Sequence, residues 1–144
     1  MSPALRCRDF RTEDWPAVQE LWAATGLGGA QRGDDAQVIA TTLARGGRFL
    51  VLEERPGGGI LGAAWLTNDG RRLYLHHFGI SPARQGQGLG RILLAEVLAA
   101  ARPIGLQLKL EVHRDNLRAQ DLYLRNGFAR LGDYETLIIR DLNT

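Results

Sequence analysis

Cysteine and lysine are nearly missing: Cys7 and Lys109 are the only ones in a chain of 144 residues. A single cysteine excludes an internal disulfide and any thiolate-rich metal cluster, and no metal is expected. Cys7 sits in the alternating run Leu5-Arg6-Cys7-Arg8-Asp9 and reads as a small core residue of a strand, not as a nucleophile. Long apolar runs are also lacking. None approaches the roughly 20 residues of a membrane-spanning helix, and Met1 to Phe10 lacks the apolar block of a signal peptide. A cytoplasmic chain with no membrane partner is the expectation. Basic runs are missing as well: the arginines are interspersed with acids, the net charge is +2 and the isoelectric point is about 9.1. That pattern argues against nucleic acid and suits an anionic small molecule. Apolar residues make up 44% and charged residues 24%, which fits one globular domain over residues 1–144.

The hydrophobic period changes along the chain. Residues 4–9 alternate as a strand. Thr12 or Asp14 can cap a helix with Pro16 in its first turn and an apolar face of Trp15, Val18, Leu21 and Trp22. Residues 26–33 hold four glycines and read as a loop. Asp34 or Asp35 starts a second helix, ended by Gly46 and Gly47. Three strands follow, Arg48 to Glu54, Ile60 to Thr67 and Leu73 to Ile80. The first pair is joined through a turn at 56–59, the second through the hairpin turn Asn68-Asp69-Gly70. Beyond Pro82, helix and strand alternate. A glycine-rich turn opens a helix carrying Ile92, Leu93, Leu94, Val97 and Leu98. Leu106 to Val112 alternate as a strand, Asn116 caps a short helix ended by Gly127, and Leu137 to Arg140 read as a last strand. The order predicts an α+β, mixed α/β domain around one sheet.

The stretch Gln85-Gly86-Gln87-Gly88-Leu89-Gly90-Arg91 places glycines at alternate positions between a strand and a helix. Without Cβ atoms, successive N–H groups converge there, and the helix start adds unsatisfied donors and partial positive charge. That is a phosphate or pyrophosphate site. A Walker A loop would need Lys-Ser/Thr after the last glycine, whereas Arg91-Ile92 stand here. A dinucleotide fingerprint would need an acid about 20 residues on. Glu111 has that separation, but antiparallel hairpins upstream do not suit a doubly wound sheet.

This stretch resembles the Gln/Arg-x-x-Gly-x-Gly/Ala signature of the GNAT superfamily of N-acetyltransferases. The resemblance implies a central, mostly antiparallel sheet of six to seven strands, flanked by about four helices and splayed at the fourth and fifth strands. It also implies acetyl-CoA as co-substrate. Backbone groups of Gln85, Gly86, Gln87, Gly88, Leu89, Gly90 and Arg91 would bind the pyrophosphate, and the strand end Phe78-Gly79-Ile80 would pair with the pantetheine arm.

A second stretch, Glu111-Val112-His113 through Asn116, Ala119, Leu122-Tyr123 and Gly127-Phe128, resembles the same family's strand-Asn-Ala-Leu-Tyr-Gly-Phe pattern. By that resemblance Asn116 contacts the cofactor and Tyr123 is the general acid for the leaving thiolate. Read singly, Asn116 is equally a helix cap and Tyr123 a core residue. The implied reaction is direct acetyl transfer to a primary amine of a small molecule or peptide N-terminus. His76, His77 and Glu111 are the candidate bases, and of these Glu111 and His76 each match a position used in some relatives. Strand parity puts His76 and its neighbour His77 on opposite faces unless a bulge intervenes. A structural role for either histidine is an equal reading.

The resemblance builds the acceptor side from residues 22–33 and 134–137. Trp22, Trp65 and Tyr134 could line it, with Asp34 and Asp35 among the acids able to attract an amine. The alternative function is a non-catalytic acyl-CoA-binding or sensor module of the same fold. A nucleotide binder, and a subunit of a larger assembly, are further readings. A homodimer paired through residues 132–142 is left open.

Overall fold

The computed structural model describes residues 4–28, 33–55 and 59–143. The expected turn at 56–59 and the tip of the glycine-rich loop thus lie partly outside the described residues. Strands β1 (Leu5–Asp9), β2 (Arg48–Glu54), β3 (Gly59–Asn68), β4 (Arg72–Ile80) and β5 (Gln107–Leu110) form one sheet in chain order. Neighbours from β1 to β4 are antiparallel, while β5 runs parallel to β4. The helices are α1 (Trp15–Thr25), α2 (Ala36–Ala44), α3 (Leu89–Ala101) and α4 (Leu117–Arg125). Residues 1–111 and 112–144 are two compact units, so β1 to β5 with α1 to α3 belong to the first and α4 to the second.

Local chemistry explains most boundaries. Pro16 sits in the first turn of α1, where its missing N–H leaves no bond unmade. Asp14 precedes that helix, but its carboxylate serves elsewhere. It accepts from Arg11 N at 2.7 Å and pairs with Arg8 at 2.8 Å. Arg8 also meets Glu53 at 3.1 Å, tying β1 and β2 to the entry of α1. Asp35 caps α2 by accepting from Val38 N at 2.9 Å. Asn68 and Asp69 fold the β3–β4 hairpin by accepting from the N–H groups of Gly70, Arg71 and Arg72.

The alternation of β2 and β3 feeds two cores. Phe49, Val51, Ala63 and Trp65 pack with Val18, Leu21 and Trp22 of α1 and Ile39 of α2. Between them the strands expose the opposite parity to α3, where a Cβ on Gly62 would stand 3.4 Å from Leu93. Leu93, Leu94 and Val97 are fully buried. Cys7 is half-buried as a structural residue, and burial, with Glu96 and Asp9 nearby, pushes its thiol up to about 11.

Two expectations change. The described sheet has five strands, not six or seven. The segment Leu137 to Arg140 is not a strand: its side chains are exposed, Leu137 at 91%, and no ladder engages it among the described residues. Tyr134 is 78% exposed. An apolar run specifies a strand only where a neighbouring edge supplies its hydrogen bonds.

Candidate active site

The turn after β4 is built to present N–H groups. Pro82 to Arg84 form one 3₁₀ turn, and α3 begins at Leu89 with Gly88 as its N-cap. Gly86 and Gly88 take φ of +83° and +79°, values that side-chain-bearing residues avoid. The first described hydrogen bond of the helix is donated by Ile92 to Gly88 O. Among the described residues, no acceptor engages the backbone N–H groups of Gly86 to Arg91. Six consecutive donors at a helix start form an anion cradle.

Side chains brace this turn from outside. Gln85 Nε2 donates to Ile80 O at 3.0 Å, closing the turn on the strand it leaves. Arg84 donates through Nε to Gln87 Oε1 at 3.0 Å and through both terminal nitrogens to the Glu54 carboxylate at 2.8 and 3.1 Å. The Arg84 guanidinium holds the Glu54 carboxyl below the usual carboxylate range. Sequence reading missed this brace because Glu54 lies 30 residues upstream.

The parallel pairing of β4 with β5 ends at Leu75–Leu110, while β4 continues to Ile80 against β3 alone. The strands therefore part where Phe78, Gly79 and Ile80 lie. Gly79 lets the loop after α1 close on this point, since an added Cβ would stand 3.3 Å from Leu27 Cδ1.

A bulge lies just before the parting. Trp65 pairs with His76 and Ala63 with Gly79, so His77 and Phe78 oppose the single residue Ala64. His77 takes φ of +47°. The bulge overturns the parity expectation: His76 and His77 line one cavity of about 190 Å³, with Leu27, Tyr74, Leu75, Leu110 and Glu111. The candidate bases Glu111, His76 and His77 thus meet there. His76 Nε2 lies 2.9 Å from Thr67 Oγ1. Burial, then the neighbouring His77, pushes the His76 imidazole below its usual range and favours its neutral form. His77 Nε2 lies 2.6 Å from Asp34 Oδ2, a partner 43 residues away that no local signal could reveal. Trp22 packs on His77 with ring centroids 4.5 Å apart, and Trp65 lies 5.8 Å from it. Trp22 and Trp65 are buried core residues, at 3% exposure each.

Asn116 and Tyr123 lie in the second unit. Asn116 Oδ1 caps α4 by accepting from Ala119 N at 3.2 Å, so the cap reading holds for its oxygen. Tyr123 is buried beside Phe128, with ring centroids 5.5 Å apart. Burial pushes its phenol up to about 12, keeping it protonated at neutral pH. Among the described residues no cluster of His, Cys, Asp or Glu could hold a metal, and no helix is long and apolar enough to cross a membrane.

A row of unengaged N–H groups at a helix start, beside a bulged strand, is an arrangement that suits a phosphorylated ligand. Residues 15–128 match the model of the Acetyltransferase (GNAT) family, and the chain belongs to that family. The N-alpha-acetyltransferase RimI of Mycobacterium tuberculosis is 43% identical over 82 residues, 54% of this chain and 51% of that protein. Mycothiol acetyltransferase of Kineococcus radiotolerans is 40% identical over 82 residues, 57% of this chain and 27% of that protein. The chain thus spans about half of the first relative and about a quarter of the second. A candidate acetyltransferase of Salmonella typhimurium, solved with its cofactor acetyl-CoA, is 26% identical with a TM-score of 0.69, covering 88% of this chain and 80% of that one.

Proposed function

We propose that this chain transfers an acetyl group from acetyl-CoA to a primary amine, of a small molecule or a peptide N-terminus, by direct attack. The observation that carries the reading is the row of unengaged N–H groups from Gly86 to Arg91 at the start of α3. Such donors fit a pyrophosphate, because they need no desolvated counter-charge and cannot titrate. Family membership and the acetyl-CoA held by the Salmonella typhimurium structure support the same cofactor. Main-chain groups of Phe78, Gly79 and Ile80, past the end of the β5 ladder, would hold the pantetheine arm as an added strand. A backbone N–H of this stretch would stabilise the oxyanion.

We assign Tyr123 the proton that meets the departing thiolate. Its motif and a phenol kept protonated support the role. Asn116 keeps an amide nitrogen for the cofactor after its oxygen has capped α4. His76 and Glu111 stand at one cavity as candidate bases. The named relatives acetylate through N-alpha and mycothiol chemistry, which supports an amine acceptor without choosing one.

Calorimetry with acetyl-CoA, ATP and NAD tests the donor side. Acetyl-CoA alone should bind. Free-thiol release over a panel of peptides, polyamines and amino sugars tests transfer. Tight binding with no amine-dependent thiol release would turn the reading to a cofactor sensor.

A further inference from the structure

We infer that His77, oriented by Asp34, is the group that takes the proton from the incoming amine. This rests on the acetyl-transfer reading above and names a catalytic residue within it. The geometry begins with the tautomer. Asp34 Oδ2 lies 2.6 Å from His77 Nε2, so the carboxylate accepts the Nε2–H and the lone pair of the neutral ring resides on Nδ1. His77 Nδ1 has no hydrogen-bond partner among the described residues. It is not sealed either: the buried side-chain nitrogens or oxygens without a partner there are Arg8 Nε and Trp22 Nε1. His77 lines the cavity shared with Glu111, and Nδ1 is the basic atom that the contact with Asp34 leaves unengaged.

His76 is less suited. Its Nε2 is engaged with Thr67 Oγ1, and burial favours its neutral form as a poor proton acceptor. The positive φ of His77 is the second mark. A non-glycine residue at φ +47° is strained, and His77 takes that conformation within the bulge that sets it beside His76 at the cavity. The titratable groups around the ring are Asp34 from the segment before α2, His76 and Tyr74 from β4, and Glu111 beyond β5. Glu111 and Asp34 supply acidic side chains here, which suits an ammonium on arrival.

The protons balance. An ammonium acceptor gives one proton to His77 Nδ1. The amine nitrogen then forms its bond to the thioester carbonyl carbon, the carbon–sulfur bond breaks, and the sulfur leaves with the electron pair. That sulfur takes a proton, while the new amide nitrogen loses its second one. The imidazolium returns its proton to solvent.

The pH dependence of kcat/KM decides the matter, using whichever of spermidine, glucosamine or an alanine-initiated hexapeptide the enzyme acetylates. His77→Gln keeps a donor toward Asp34 and lacks the basic nitrogen. It should lower kcat by about 10²-fold or more and abolish the acidic limb. Asp34→Asn should lower kcat while leaving the limb in place, and Asp34→Glu should restore kcat in part. Glu111→Gln should keep it. Loss of the limb in Glu111→Gln and its survival in His77→Gln would overturn the assignment. Acetyl-CoA affinity by calorimetry should be unchanged in His77→Gln; no affinity even in the unsubstituted protein sinks the acetyl-transfer reading instead. Nitrogen NMR of the imidazoles reads the dyad without turnover. Neutral His77 should be the Nε2–H tautomer, lost in Asp34→Asn, and an Nδ1–H tautomer would overturn the proposal.

Discussion

Tyr123 shows how one side chain carries two readings that physics separates. As a buried aromatic it packs beside Phe128. As an acid it needs its proton, which a phenol already holds at neutral pH and which burial holds more firmly by pushing it up to about 12. Tyr123→Phe should therefore leave acetyl-CoA affinity unchanged and cut kcat on the order of 10²-fold, measured by thiol release against calorimetry. Unaltered kcat would leave Tyr123 a packing residue. The three histidines divide in the same way. His113 is exposed and accepts from Asp115 N at 3.1 Å, whereas His76 and His77 are drawn into the sheet by the bulge.

The turn from Gly86 to Arg91 is the element on which the proposed cofactor binding depends. Its glycines set N–H directions, and its side chains hold the turn to β2 and β4 through Glu54 and Ile80. At Gly88, φ is +79° and an added Cβ would meet only Arg91 Nη2, at 3.9 Å. Gly88→Ala thus has room, yet it strains the backbone by about 1–2 kcal/mol unless φ turns and swings the N–H groups away. Coenzyme A should bind about tenfold more weakly to Gly88→Ala in calorimetry, with the thermal transition only slightly lowered. Full affinity would show that the cofactor is held elsewhere. This element was legible from residues 85–91 alone, because turn and cap chemistry is local. The strand expected at Leu137 to Arg140 was not, because a strand forms only against an edge, and a sequence run does not state its partner.

At the scale of the fold, acid sensitivity follows from which groups are placed inside. His76 has a folded-state pKa below its ordinary 6.5, burial being the first cause. Between those two values the unfolded chain binds a proton that the folded chain refuses, so stability falls as pH drops below 6.5. Asp14 and Glu53 are depressed as well, by hydrogen bonds from Arg8, and their contribution disappears only at more acidic pH. Urea midpoints should therefore decline from pH 7 toward pH 5 more steeply in the unsubstituted protein than in His76→Gln. Parallel slopes would exclude His76 as the cause.

The sequence by itself determined the caps of α2 and α4, the hairpin turn, the glycine turn before α3 and the order of elements up to α4, each specified within a few residues by caps, glycines and hydrophobic period. Only the tertiary structure decided the cavity. The β4 bulge puts His76 and His77 on one side, and Asp34 reaches His77 across 43 residues. Register between strands depends on the partner strand, and an ion-pair partner depends on where the chain returns, so neither can be written into any short stretch of residues.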